Sequence, residues 1–153
     1  MLNVRNATIE DLSQYVLLAQ EFHAASPMHG AIAFDPEGYA DFFTGALQNP
    51  DIGLWLAEVG NKVVGITGAI KYPLYFSPKS NVVQELWWWL TPESRGTGAG
   101  AKMFDCIKAW AKEKNASAMF MIALEDDRAS KMEKLYRRAG FKPLERTFIK
   151  EVM

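Results

Sequence analysis

A single cysteine, Cys106, is all the thiol chemistry this 153-residue sequence offers. One thiol makes no internal disulfide, and no zinc-type spacing of Cys or His surrounds it. Charge of one sign is also missing: the net charge is −1, so no global field draws the chain to nucleic acid or to an anionic membrane. Any anion site must therefore be local. No stretch approaches the ~18 apolar residues of a membrane span. The opening residues, Met1 to Asn6, are too few and too polar for a signal peptide. Repeats, low-complexity tracts and linkers are absent. What is there is 49% hydrophobic and 23% charged, the balance of an ordinary globular protein with enough chain to bury a core unaided by staples. The expectation is one domain over residues 1–153, cytoplasmic, with no nucleic acid or membrane partner and no metal.

Hydrophobic periodicity places the elements. Leu2-Asn3-Val4-Arg5 alternates as a half-buried strand does. Thr8, with Asp11 three residues on, opens a helix whose apolar side is Leu12, Tyr15, Val16, Ala19 and Phe22, and which ends near Ala25 before Pro27. A loop from Ser26 to Pro36 leads to a helix over Asp35–Leu47. Ile52–Val59, Val63–Tyr72 and Val82–Leu90 read as an antiparallel meander with a Gly60-Asn61 turn. Gly98–Lys114 is an amphipathic helix. Ala118–Leu124 is a nearly continuous apolar run, as in a strand buried on both faces. Asp127–Ala139 is a helix closed by Gly140, and Phe141–Leu144 and Arg146–Val152 are expected as final strands. The fold class is α/β (α+β): a mixed sheet, antiparallel first, with a β-α-β unit pairing the Trp-rich strand in parallel with the later apolar one.

The most informative segment is Arg95-Gly96-Thr97-Gly98-Ala99-Gly100, between a strand and a helix. Glycines there leave main-chain N–H groups uncovered at the positive end of a helix, which is a site for phosphate or pyrophosphate. Arg95 adds a fixed positive charge. Nothing in it ends in Gly-Lys-Ser/Thr, so it is not a P-loop. Its place in mid-chain, behind an antiparallel meander, does not suit a doubly wound dinucleotide fold, although Glu125-Asp126 follow the next strand.

Arg95-x-x-Gly98-x-Gly100, with Leu90-Thr91-Pro92-Glu93 before it, resembles the Arg/Gln-x-x-Gly-x-Gly/Ala signature of the GCN5-related N-acetyltransferases (GNAT). Leu135-Tyr136-Arg137-Arg138-Ala139-Gly140-Phe141 resembles that family's second hallmark, a Leu-Tyr pair followed by Gly-Phe, at the family's spacing. The resemblance covers almost the whole chain. It implies a central sheet splayed between its two parallel strands, and acetyl-CoA as cosubstrate. The pantetheine arm would lie in the gap against main-chain groups of Trp89 and Leu90. The pyrophosphate would sit on the amides of Gly96, Gly98, Gly100 and Ala101. It also implies acetyl transfer to a primary amine, from a small molecule or a peptide. The family often carries Asn where this chain has Ala129, so Ser130 is the substitute expected for that coenzyme contact.

Acetyl transfer needs an amine freed of its proton, a stabilised oxyanion, and a donor to the leaving thiolate. The resemblance assigns the last task to Tyr136. Glu85 is the candidate base: it precedes Arg95 by ten residues, and alternation puts it on the face of Trp87 and Trp89, where burial would raise its pKa. A water chain is the alternative base, and a backbone N–H near Leu90 the candidate oxyanion donor. Trp87-Trp88-Trp89 packs a central strand on both sides, or else Trp87 or Trp89 lines the acceptor pocket. His23 and His29 flank a loop that shapes the acceptor site in the family. Lys131 and Lys134 are either solvated or meet a 3′-phosphate. Glu125-Asp126-Asp127 caps the following helix, and Tyr72 to Phe76 covers the acceptor or meets a second copy in a homodimer. Three other readings fit the sequence: a non-catalytic acyl-CoA binder of the same fold, a transferase with a different acyl donor or an oxygen acceptor, and an interaction protein whose glycine loop holds nothing.

Overall fold

A computed structural model describes residues 1–152. Five strands form one sheet in the order β1 (Leu2–Asn6), β2 (Ile52–Val59), β3 (Lys62–Leu74), β4 (Ser77–Leu90), β5 (Ala118–Phe120). The first four pair antiparallel, as short links dictate, and β4 pairs β5 in parallel. Helices α1 (Leu12–Ala25) and α2 (Pro36–Ala46) cover one face, and α3 (Ala99–Glu113) covers the other. Helix α4 (Ala129–Arg138) follows β5.

The helix boundaries follow local chemistry. Thr8 and Asp11 form a capping box that leads through a 3₁₀ turn into α1. Arg5 locks it, bonding Asp11 at 2.8 Å and Glu58 at 3.0 Å, and holds both carboxyls below their usual range. Asp35 caps α2 by accepting from Gly38 N at 3.0 Å, with Pro36 at the first helical position. Gly140 closes α4 at φ +93°, a conformation that suits glycine.

Two expectations about the C-terminal third do not hold. The strand expected over Ala118–Leu124 stops at Phe120, and its residues are exposed or half-buried. The reason is position: among the described residues β5 is an edge with no neighbour beyond it. The strands expected over Phe141–Leu144 and Arg146–Val152 are irregular chain instead, with Leu144, Phe148, Ile149 and Val152 exposed. A three-residue edge offers almost no ladder to join, and Pro143 removes a donor. Tyr75 and Phe76 form the exposed β3–β4 turn.

The sheet's centre is fixed by a buried polar chain. Tyr15 Oη donates to Thr67 O at 2.9 Å and accepts from Trp87 Nε1 at 3.0 Å; Thr67 Oγ1 donates to Trp87 O at 2.8 Å. It ties α1, β3 and β4 at one point, and it satisfies groups that burial would otherwise strand.

Candidate active site

The site starts from a break in the sheet. The β4–β5 ladder runs Val82–Ala118, Val83–Met119, Gln84–Phe120 and then stops, while β4 continues six residues to Leu90. On its other side β4 stays paired with β3 over these residues except at one place: Gly68 opposes Trp87 and Ala69 opposes Glu85, which leaves Leu86 without an opposite residue. This is a β-bulge, the usual device for bending a strand and re-aiming its side chains.

The bulge changes which residues share a face. Glu85 lies opposite Ala69 and on the side of Val83, toward α3, whereas Leu86, Trp87 and Trp89 pack toward α1 and α2. Glu85 therefore does not share the face of Trp87 and Trp89, as plain alternation had it. Trp88 takes the α3 side, stacked on Phe104 at 5.6 Å.

Glu85 is 4% exposed and sits at the apex of the split, its Oε1 accepting from Ile122 N at 3.3 Å. Burial pushes its pKa up to about 8, because that single hydrogen bond does not replace water around a carboxylate. Tyr136, on α4, donates its hydroxyl to Ile122 O at 2.8 Å. Burial, and then the nearby Glu85 charge, push the Tyr136 pKa well up. The structure thus brings the two residues singled out for chemistry onto opposite sides of Ile122.

Past the bulge, main-chain direction decides what lines the gap. Thr91 N–H bonds Val64 O at 2.9 Å, so by alternation Trp89 also turns its N–H and C=O to β3, and Leu90 and Trp88 turn theirs to the gap. Of the two residues expected to face the gap, Leu90 turns its main-chain groups there together with Trp88, whereas those of Trp89 are taken up by β3. The signal was available in the sequence, since residues two apart point the same way. Leu90 O is accessible enough to accept from Arg95 Nε at 3.2 Å.

The gap opens onto the glycine loop. Gly96 and Gly98 have φ of +82° and +90°, and Gly98 caps α3. Among the described residues, no hydrogen bond uses the N–H of Gly96, Gly98, Gly100 or Ala101. These groups meet at a helix N-terminus, where an anion is favoured. Two guanidinium groups stand nearby: Arg95 lies 4.8 Å and Arg128 5.1 Å from the centre of the Trp89 ring. Arg128, which sequence reasoning missed, is held by Asp126 at 3.0 Å. Asp126 also accepts from Arg128 N at 2.9 Å, so within the acidic run it is Asp126 that shapes the entry to α4. Ser130 is exposed in the first turn of α4, and Cys106 is half-buried on α3.

The model of the acetyltransferase (GNAT) family matches residues 15–141. The chain belongs to that family. No curated protein sequence matches it significantly. Solved structures of acetyltransferases share its fold throughout. One is a predicted acetyltransferase with acetyl-CoA from Clostridium acetobutylicum: 21% identity, TM-score 0.78, covering 99% of this chain and 96% of that one. Another is the aminoglycoside N-acetyltransferase AAC(6')-Iy with a bisubstrate analogue: 15% identity, TM-score 0.78, covering 100% and 99%. A third is glucosamine-6-phosphate N-acetyltransferase from Arabidopsis thaliana: 11% identity, TM-score 0.77, covering 98% and 97%. At these identities the likeness establishes the acetyltransferase fold. Among the described residues, no helix of this family member is long and apolar enough to cross a membrane.

Proposed function

We propose that this chain is a single acetyltransferase domain over residues 1–153 that moves the acetyl group of acetyl-CoA directly onto a primary amine. The observation that carries the reading is the split sheet: a strand released from its parallel neighbour at Gln84 leads, through main-chain groups facing a gap, into a loop of free N–H groups at a helix N-terminus. A thioester on a long diphosphate-bearing arm fits that sequence of surfaces. Two solved relatives in fold carry acetyl-CoA or CoA, and two are acetyltransferases of amino sugars.

In this reading the diphosphate rests on the N–H groups of Gly96, Gly98, Gly100 and Ala101. Arg95 exchanges Leu90 O for a phosphate oxygen, and Ser130 stands at the rim. The pantetheine arm pairs with Trp88 and Leu90 as an added strand would. The amine nitrogen attacks the thioester carbonyl carbon, and the oxyanion is stabilised by a main-chain N–H of β4 near Leu90. Glu85, directly or through one water, takes the proton from nitrogen. A carboxylate with a pKa of about 8 suits that task near neutral pH. The C–S bond then breaks, and Tyr136 donates a hydrogen bond to the departing thiolate. A phenol held protonated this firmly stabilises the thiolate rather than ionising. The proton lost by nitrogen ends on sulfur.

The test is a panel of amines with acetyl-CoA, read by free-thiol release, comparing wild type with Tyr136→Phe and Glu85→Gln. Amine-dependent thiol release that both substitutions slow supports the reading. Coenzyme binding without release from any amine would make the chain a binder. No stabilisation by acetyl-CoA would remove the coenzyme from the account altogether.

A further inference from the structure

The gap between β4 and β5 narrows to an apex, and the two faces of the sheet differ there. The floor of the apex is the last rung of the ladder, Gln84–Phe120. Its α3 side is occupied by Glu85 and Tyr136, 4% and 7% exposed, each bonded to one end of Ile122.

The α1 side carries aliphatic side chains instead. Leu86, which has no opposite residue on β3, packs its half-buried side chain against the core under α1 and α2. On the departing segment, Met119 and Met121 pack toward α3, so alternation turns Ile122 toward the α1 side, where it is 38% exposed. Leu86 and Ile122 thus stand on the two lips of the apex, on one face. The bulge makes this arrangement: plain alternation would have set the Glu85 carboxylate on the α1 side, and the extra residue sets a leucine there.

In the acetyl-transfer reading Glu85 serves the nitrogen and Tyr136 the sulfur, so the acyl carbons lie between them, at this apex. An acetyl methyl group there meets the floor and the leucine. Each further methylene has to turn toward the α1 side, against Leu86 and Ile122, because the ladder closes the gap ahead and buried groups fill the α3 side.

We infer that Leu86, with Ile122 on the other lip, sets the length of the acyl chain that the site accepts, so that an acetyl group fits and a butyryl group does not. The inference rests on the acetyl-transfer reading for the place of the thioester, and it names the residues that select its acyl group.

Isothermal titration with acetyl-CoA and butyryl-CoA tests this with no amine present. Wild type binds butyryl-CoA about tenfold or more weakly than acetyl-CoA, the scale on which an apolar pocket discriminates by methylenes. Leu86→Ala brings the two affinities together, chiefly by improving butyryl-CoA. Ile122→Ala, at a more exposed position, moves them the same way and keeps the test open if Leu86→Ala does not fold. Leu86→Ile, of equal volume, keeps the wild-type ratio. With an amine that releases thiol, the butyryl-to-acetyl ratio of kcat/KM follows the same order. A leucine that only packs the core would lower Tm and weaken both donors alike, leaving the ratio where it is in wild type. The inference is overturned if wild type takes butyryl-CoA as well as acetyl-CoA, or if neither alanine variant shifts the ratio. Should the two esters bind in the stated order while no amine releases thiol, acyl selection stands and acetyl transfer falls. Should an amine release thiol equally from both, acetyl transfer stands and the role of Leu86 falls. Should neither ester bind, both fall together.

Discussion

Glu85 Oε1 accepts a hydrogen bond from the main-chain nitrogen of Ile122 at 3.3 Å, just beyond the last rung of the β4–β5 ladder. A side chain here replaces the ladder bond that the splay removes. Tyr136 holds the other side of Ile122 through its carbonyl, so both candidate catalytic groups lean on one residue of the departing strand. A thioester entering the gap beside Ile122 would meet both at once.

The first prediction concerns Glu85 and pH. Its pKa in the folded chain is raised from 4.5 to about 8 by burial. Between those values the folded chain keeps a proton that the unfolded chain has released. Stability therefore falls as pH rises through this window, and it is free of the penalty below it. Glu85→Gln removes the penalty and still offers an oxygen to Ile122 N–H. The variant gains on the order of 3 kcal/mol at pH 8 and little near pH 4. Urea unfolding across pH checks this; a pH-independent difference would show that Glu85 does not titrate there. The rate shows the opposite sign. Wild-type kcat/KM climbs through about pH 8, whereas the variant loses roughly 100-fold above it and its profile flattens.

The second concerns Tyr136. Tyr136→Phe deletes the donor to Ile122 O and costs about 1 kcal/mol of stability. The proposed bond to the thiolate exists only as the C–S bond breaks, so kcat falls by roughly 10- to 100-fold while the KM for acetyl-CoA stays level. Steady-state kinetics separates this from a packing role, which would move KM as well.

Much of this was legible in residue order. The 3.6-residue spacing of Leu12, Tyr15, Ala19 and Phe22 fixed α1, and Thr8, Asp35 and Gly140 marked helix ends by their own hydrogen bonding or positive φ. The glycine loop and Tyr136 stood out because each motif has a chemical reason for its spacing. The bulge did not. Leu86 opens an unbroken apolar run to Leu90, in which no residue marks a face, so one extra residue there goes unseen in the sequence while it moves Glu85 to the other face. The final strands failed for a related reason: alternation describes a strand's faces, but only a neighbouring ladder makes it a strand, and β5 ends at Phe120.

The third prediction tests what holds the bulged strand in place. Tyr15→Phe keeps the ring and removes one oxygen, which leaves buried Trp87 Nε1 without an acceptor and Thr67 O without this donor. The expected loss is about 2–4 kcal/mol, larger than for an exposed hydrogen bond because the orphaned groups stay desolvated. Urea unfolding at constant m-value measures it. A loss well under 1 kcal/mol would mean that these groups find other partners.

The fourth separates coenzyme binding from folding within the glycine loop. At Gly98, φ is +90° and an added Cβ meets no atom within 4 Å, so Gly98→Ala suffers only backbone strain of about 1–2 kcal/mol. Gly100 lies in the first turn of α3 without positive φ, and its added Cβ would rest 3.4 Å from Leu90 Cδ1, an ordinary contact. Gly100→Ala should therefore leave stability unchanged or raise it by about 0.5 kcal/mol through better helix propensity. If the N–H groups here hold a diphosphate at close range, however, that same methyl stands in the ligand's way. Isothermal titration with CoA should then show roughly tenfold weaker binding for Gly100→Ala at undiminished Tm, since a ligand held by main-chain groups needs the room that glycine leaves. Unchanged affinity in a stable Gly100→Ala chain would place the diphosphate elsewhere, and the whole assignment of the gap would move with it.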